Sequence, residues 1–389
     1  MQKMKKSILF ACGFLTPLLL SHFLPPAPPF SERLNRATYW QSYETSYFSS
    51  LRGYENLIQE AYKKGFIPII VFGDSSIRGT GASGTRIWTT QLENRLRKIQ
   101  SNIIVINYAQ NAGDLVGPFL YHHLYKKFPD AYYIVQWNYP AQIAVRHPFH
   151  YWLTSEIALR GGNSNPVVKR SYELYPHELK ELSLSGISTE QYSFIFAQLN
   201  IVFNYLDLGN WIRYLIFGRV YGDEKRHIVI EPLKNAPESD IDVFDFKIRD
   251  PEHTKTMREI FIGIQHAREN FLKIPDSTRK KYFDEVFPRS MRNKLLILTI
   301  DLNPYYAPDQ SKEQLRVRSA SWDQIRSEMQ EMPDLRWVSL TESKNEMKVN
   351  DYMDLGHLTP GGQIKVADAV ANNILGPDGW FTAEGRDLK

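Results

Sequence analysis

Cysteine is almost absent from this sequence, because Cys12 is the only one among 389 residues. A single cysteine excludes a disulfide within the chain and a zinc site built on several cysteines. The chain also lacks a long basic run, since 47 Lys and Arg against 43 Asp and Glu give a formal net charge of +4. A nucleic-acid footprint needs a concentrated basic face, so we expect no nucleic-acid partner.

Charged side chains are also missing from residues 7–30, directly after a basic start that contains Lys3, Lys5 and Lys6. A basic end followed by an apolar stretch is typical of a signal peptide, and this stretch is just long enough for one tilted membrane span. Because no small-residue cleavage site follows, we favour an uncleaved anchor with its basic end inside. The sequence therefore predicts an exported protein, either membrane-anchored through residues 1–30 or periplasmic/extracellular.

Apolar runs of strand length alternate with helical patterns in two parts of the chain. Five runs predict strands buried on both faces, at residues 66–72, 103–106, 132–137, 294–300 and 335–340. The main helical patterns lie at residues 88–99, 118–128, 311–329 and 360–374. Strands that alternate with helices form parallel sheets. We therefore expect an α/β fold, namely a three-layer α/β/α sandwich with a parallel, flavodoxin-like sheet, interrupted by a largely helical insertion.

The interruption sets the predicted domain organisation. Alternation stops near Ala144 and returns near Lys294, and the sequence between them is rich in aromatic, proline and charged residues. The predicted units are 1–30 as signal peptide or N-terminal membrane anchor, 31–65 as linker and lead-in helix, 66–144 as the first part of the α/β domain, 145–292 as the insertion, and 293–389 as the second part.

Polar residues follow the predicted strands at the positions where chemistry is expected. In an open parallel sheet, ligands bind beyond the carboxyl ends of the strands. The residues there are 73–76 (Gly-Asp-Ser-Ser), 107–113, 137–138 (Trp-Asn) and, before the last helix, 354–357 (Asp-Leu-Gly-His). They supply a hydroxyl, backbone donors beside a glycine, a side-chain amide and an Asp/His pair, which are the components of an acyl-transfer site.

With these motifs, the chain resembles the SGNH (GDSL-type) hydrolase family. Its four blocks stand in the family's order, at 72–76 (FGDSS), 111–113 (NAG), 136–138 (QWN) and 354–357 (DLGH), and the resemblance covers residues 66–144 and 293–375. Two departures stand out. Ser76 replaces the Leu that usually follows the nucleophile, and Gln136-Trp137 replaces the small residues that normally precede the third-block Asn.

The residue types also predict a mechanism. A serine hydroxyl is a weak nucleophile until a neighbouring base removes its proton, and an imidazole is suited to this near neutral pH. We predict that Ser75 is the nucleophile, that His357 is the base, and that Asp354 orients the imidazole. Asp351 is the alternative for the last role.

The family resemblance implies an oxyanion hole made by the backbone N–H groups of Ser75 and Gly113 and the side-chain amide of Asn138. No metal ion and no organic cofactor is needed. We therefore predict a serine esterase that hydrolyses an ester through an acyl-enzyme on Ser75, with an acyl ester or an acylated glycan as substrate. Two alternatives stay open: an O-acyltransferase or deacetylase acting on a cell-envelope glycan, and a non-catalytic envelope glycan-binding protein.

Two further patterns are interpreted as structural. Residues 79–84 (GTGASG) match a dinucleotide-binding fingerprint by letter, but they begin after the strand has ended and lack an acidic ribose partner, so we expect a loop beside Ser75. His122 and His123 have no acidic partners at fixed spacing, and we expect packing or surface roles for both.

Overall fold

A computed structural model describes residues 51–79, 86–109, 116–137, 272–300, 324–325, 327–329, 331–340, 347–352 and 357–381. The predicted leader (1–30) and most of the predicted insertion (145–292) lie outside these ranges. Within them, no helix combines the length and the apolar character that a membrane crossing requires.

Five parallel strands form one sheet in the order β2-β1-β3-β4-β5. The strands are β1 (Ile67–Phe72), β2 (Ile103–Asn107), β3 (Tyr132–Gln136), β4 (Leu295–Thr299) and β5 (Arg336–Ser339). Four of them lie within the apolar runs from which strands were predicted, and β2 extends its run (103–106) by one residue, to Asn107. The prediction of an α/β fold with a parallel sheet is therefore confirmed.

Helices flank this sheet. The main α-helices in the described ranges are α1 (Leu51–Lys63), α2 (Ser75–Arg78), α3 (Trp88–Arg97), α4 (Val116–Lys127), α5 (Asp276–Val286) and α6 (Pro360–Ile374), and residues 324–325 and 327–329 are also helical. Two 3-10 helices, Arg289–Lys294 and Val349–Asp351, precede β4 and α6. The predicted helix at 311–329 falls mostly outside the described residues.

Both faces of the sheet are apolar, because successive residues of a strand point to opposite sides. In β1, Ile70 and Phe72 pack into one core with side chains of α1, α4 and α5. Ile69 and Val71 pack into a second core with side chains of α3 and α6. Covering both faces explains why the strands are nearly continuous apolar runs in the sequence.

The first core extends into the range predicted as the insertion. Phe283 of α5 and the adjacent Phe287 make edge-on ring contacts with Trp137, at centroid distances of 5.2 and 6.3 Å. Arg279 of α5 is buried and binds the carboxylate of Glu328, with a distance of 2.8 Å from its Nε atom. Residues 276–287 therefore belong to the packed core beside β3, although their sequence shows no strand-helix alternation.

Helices α1 and α4 are joined by a buried carboxylate. Glu55 accepts hydrogen bonds from His123 Nε2, at 2.9 Å, and from Lys127. Burial alone would raise the pKa of Glu55, but these two partners hold it below its ordinary value. The neighbouring His122 packs edge-on against Tyr125, and burial lowers its pKa to about 4. His122 thus has the packing role expected from the sequence, whereas the hydrogen bond of His123 to Glu55 was not expected from the spacing of acidic residues.

The start of α6 is fixed by its cap and by a close backbone contact. Thr359 is the N-cap residue and accepts a hydrogen bond from the N–H of Gly362, at 3.2 Å, and Pro360 is the first helical residue. Gly362 lies against the 3-10 helix before it, since a Cβ atom at this position would be 2.3 Å from the carbonyl oxygen of Asp351. Only glycine fits here.

This contact gives a matched test. We expect Gly362→Ala to destabilise the protein by about 1–3 kcal/mol, because the added methyl group must push two backbone segments apart. Gly361→Ala is the control, because a Cβ atom there would meet only Thr359 Oγ1 at 3.8 Å. Its effect should be neutral or slightly stabilising, by up to about 1 kcal/mol, since alanine is the better helix former. Denaturant unfolding measures both, and equal stability of the two variants would contradict the contact.

Candidate active site

The strand order places a topological switch point between β1 and β3. The chain leaves β1 towards the face that holds α2 and α3, whereas α4, which follows β2, packs on the opposite face. The two connections therefore diverge at the carboxyl ends of β1 and β3, which is where open α/β sheets generally bind ligands. Residues 73–76 and 136–137 lie there, directly at the ends of these strands.

Two of the five predicted site residues lie within the described ranges. Ser75 is the first residue of α2, immediately after the turn that leaves β1. His357 is half-buried and precedes α6 by three positions. Asp354, Gly113 and Asn138 lie outside the described residues, so their predicted roles stay predictions.

One buried side chain holds the turn that carries Ser75. Gln136, at the end of β3, accepts a hydrogen bond from the N–H of Asp74 at 2.6 Å and donates one to Ser76 Oγ at 3.0 Å. Asp74 Oδ1 in turn accepts hydrogen bonds from the N–H and the hydroxyl of Ser76, at 2.7 and 2.5 Å. The residues on both sides of Ser75 are thus tied to each other and to β3.

Glycine is required just before this turn. A Cβ atom on Gly73 would lie 2.5 Å from Gln136 Oε1 and 2.7 Å from Ile77 Cβ. The glycine of the Gly-Asp-Ser motif therefore lets the Gln136 side chain and α2 approach the end of β1. In this chain its role is close packing, because its φ angle is not among the positive ones.

The other end of α2 is held by two further donors. The carbonyl oxygen of Ile77 accepts hydrogen bonds from the indole Nε1 of Trp88, at 2.6 Å, and from Asn107 Nδ2, at 3.3 Å. Asn107 is the last residue of β2, and its Oδ1 accepts the N–H of Ala109 at 3.0 Å. The short helix that begins with Ser75 is therefore fixed at both ends by buried polar side chains.

Trp88 also links this helix to the part of the chain that carries His357. Its backbone N–H donates to Oε1 of Gln363, in α6, at 3.2 Å. Trp88 and Gln363 are both fully buried. One residue thus contacts α2 through its side chain and α6 through its backbone, which relates the Ser75 segment to the helix that follows His357.

The carboxylate of Asp351, the alternative partner of His357, already has two other partners. Its Oδ2 atom accepts hydrogen bonds from the backbone N–H of Lys348, at 2.6 Å, and from Lys365 Nζ, at 2.5 Å. Its backbone oxygen accepts the N–H of Thr359 at 2.9 Å. These bonds tie the 3-10 helix to α6, which is a structural role.

Several residues that shape this region were not assigned to the site from the sequence. Ser76 and Asn107 lie in the ranges after the strands where chemistry was expected, but neither was given a role, and Gln136 was noted only as a departure from the family pattern. A usable signal exists, because each is a polar residue at the end of an apolar run or next to the serine. Trp88 and Gln363, which also shape this region, lie in α3 and α6 and carry no such signal. Among the described residues, no group of three or more His, Cys, Asp or Glu side chains is arranged to hold a metal ion.

Comparisons with known proteins assign no function to this chain. No family model matches the chain, and no curated protein matches it. Among solved structures, the chain is similar to the crystal structure of the lipase Lip_vut3 from goat rumen metagenome, with 9% identity and a TM-score of 0.32 over 78% of this chain and 95% of the lipase. A TM-score this low establishes neither a shared fold nor a shared activity.

The bonds of Trp88 lead to a prediction on stability. We expect Trp88→Phe to cost about 2–4 kcal/mol, because it leaves a cavity in the core and removes the indole donor from the Ile77 carbonyl. Trp337→Phe is the control, since Trp337 is only partly buried and its indole N–H has no partner among the described residues. That change should cost no more than about 1 kcal/mol. Denaturant unfolding followed by circular dichroism measures both, and similar losses would show that the link through Trp88 is unimportant.

Proposed function

We propose that this protein is a serine esterase of SGNH type that hydrolyses an ester through an acyl-enzyme on Ser75. The observation that carries the proposal is the placement of Ser75 at the topological switch point, on a short helix that is fixed at both ends by buried hydrogen bonds. A nucleophile has to be held in one direction to attack efficiently, and a helix fixed at both ends can hold the serine in this way. The four sequence motifs add the base and the oxyanion donors.

In the proposed reaction, Ser75 Oγ attacks the ester carbonyl while His357 takes the hydroxyl proton. The carbonyl oxygen becomes an oxyanion, which accepts hydrogen bonds from the N–H groups of Ser75 and Gly113 and from the Asn138 amide. When the tetrahedral intermediate collapses, the ester C–O bond breaks and His357 returns the proton to the leaving alcohol. Water then attacks the acyl-enzyme, with His357 again as the base, and releases the acid and free Ser75.

The proposal also assigns the parts of the chain. Residues 66–144 and 293–389 form one catalytic domain, a three-layer α/β/α sandwich, and residues 145–292 form a helical insertion that contributes specificity. The last part of this range, residues 276–287, packs on the core of that domain beside β3. Residues 1–30 export the protein, as a signal peptide or as an N-terminal membrane anchor. The parallel pairing of β3 with β4 supports the single domain, because these strands lie on either side of the predicted insertion.

An activity-based probe tests the nucleophile without knowledge of the natural substrate. We expect a fluorophosphonate to label the wild type. The labelling rate of Ser75→Ala should be at least about a hundredfold lower, because the covalent bond forms on the serine oxygen. Ser290→Ala is the matched control, since Ser290 precedes β4 and therefore lies at the amino ends of the strands, away from Ser75. In-gel fluorescence and peptide mapping of the labelled site provide the measurement.

The same experiment separates the alternatives. Unlabelled wild type, or equal labelling of Ser75→Ala, would mean that the protein is not a serine hydrolase and would favour glycan binding. If Ser75 is labelled, a chromogenic acetate ester offered with and without glycan acceptors distinguishes esterase from O-acyltransferase. Product that is released equally in both conditions supports hydrolysis by water.

The choice between two aspartates can be tested directly. We expect Asp354→Asn to lower kcat by about 10⁴-fold, because the imidazole would lose the carboxylate that orients it. Asp351→Asn should instead change kcat by less than about threefold while lowering the melting temperature, since this carboxylate binds Lys365 and the N–H of Lys348. Steady-state kinetics and thermal unfolding measure both variants. The assignment is wrong if the kinetic effects are reversed.

A further inference from the structure

The two departures from the family pattern contact each other. Ser76 follows the nucleophile and Gln136 ends β3, and the Gln136 Nε2 atom donates to Ser76 Oγ at 3.0 Å across a sequence separation of 60 residues. The other end of the same amide, Oε1, accepts the N–H of Asp74 at 2.6 Å. One amide group therefore holds the residue before Ser75 and the residue after it.

Glutamine is the side chain that satisfies this geometry. The Asp74 N–H needs an acceptor, and Ser76 Oγ needs a donor, because its own proton is directed to Asp74 Oδ1 at 2.5 Å. A primary amide offers one acceptor and one donor group a fixed distance apart. A carboxylate would present two acceptors, and an apolar side chain would leave the Asp74 N–H without its acceptor and Ser76 Oγ without its donor.

The arrangement is buried and has little room to adjust. Gln136 is 1% exposed and Ser76 is 4% exposed. The backbone of β3 is fixed by its pairing with β1, in which Phe72 is opposite Val135. Gly73 leaves space for the amide, since any Cβ atom there would be 2.5 Å from Gln136 Oε1. The position of the amide thus follows from the sheet itself.

We propose that Gln136 is a positioning residue for Ser75. Together with Ser76, it holds the turn at residues 74–76 in a fixed position relative to the end of β3. This inference rests on the proposed esterase function. Gln136 does not touch the substrate; it sets the direction of the backbone at residues 74–76 and hence of the attacking oxygen. Misplacement of a reacting group by about 1 Å can cost about a hundredfold in rate.

The experiment measures kcat and KM for p-nitrophenyl acetate, with kcat expressed per site that a fluorophosphonate titrates. We expect Gln136→Met, which keeps the volume but removes both hydrogen bonds, to lower kcat per titrated site by about 30–100-fold and to change KM by less than about threefold. Ser76→Ala should lower kcat by about tenfold. The double variant should be slower than Gln136→Met alone by clearly less than the tenfold of Ser76→Ala, because the two changes share the Gln136–Ser76 hydrogen bond while Ser76→Ala also removes the bond to Asp74 Oδ1.

A matched control uses another buried polar residue at a strand end. Thr299 ends β4, is fully buried, and belongs to neither the turn nor the hydrogen bonds described above. Thr299→Val should leave kcat and KM within about twofold of wild type even if it changes the melting temperature. This variant separates a positioning effect from a general loss of stability.

Several outcomes would overturn the inference. If Gln136→Met has a lower melting temperature but an unchanged kcat per titrated site, the amide is only structural. Effects that multiply in the double variant would show that Gln136 and Ser76 act separately. If Gln136→Met does not fold, Ser76→Ala provides the test. An unchanged kcat per titrated site in Ser76→Ala would then show that the Gln136–Ser76 contact is only structural. If the wild type is neither labelled by the fluorophosphonate nor active on the ester, the esterase proposal is rejected, and the inference built on it is rejected as well.

Discussion

The parallel pairing of β3 with β4 is the contact on which the rest of the structure depends. It joins residues 133–136 to residues 295–298, which are separated in the sequence by the range predicted as an insertion. Closing such a long segment has an entropic cost that rises only slowly with its length, so a buried apolar pairing is able to offset it. Through this pairing β4, β5 and α6 complete the second core, in which the side chains of α3 and α6 cover one face of the sheet.

The candidate site follows from that arrangement through a short series of buried polar contacts. Gln136 holds the turn at Ser75 from β3, and Asn107 holds the end of α2 from β2. Trp88 binds α2 and also Gln363 in α6. Buried hydrogen bonds of this kind are costly to leave unmade, so they favour one arrangement over its alternatives. The position of the turn that carries Ser75 thus depends on side chains from β2, β3 and α3 together.

Much of the fold was predictable because its strands are buried on both faces. Ile67–Phe72 and Leu295–Thr299 are continuous apolar runs, and such runs have few alternatives in a globular protein. Helix α5 was not distinguished from its surroundings, because charged residues such as Arg279 and Lys280 dilute the apolar face that packs on Trp137. The cap of α6 at Thr359 and Pro360 was predictable, since it depends on adjacent residues alone.

By itself, the sequence determined the position of each strand, the α/β class and the set of chemically competent side chains at the strand ends, because these depend on local composition and periodicity. Only the tertiary structure decided which of these side chains meet. The β1–β3 pairing brings Gln136 to Asp74 over a separation of 62 residues, and the packing of α6 brings Gln363 to Trp88 over 275. Contacts over such separations are set by strand order and register, which no local pattern encodes. For this reason Ser76 and Gln136 are two unrelated departures in the sequence and one hydrogen-bonded pair in the fold.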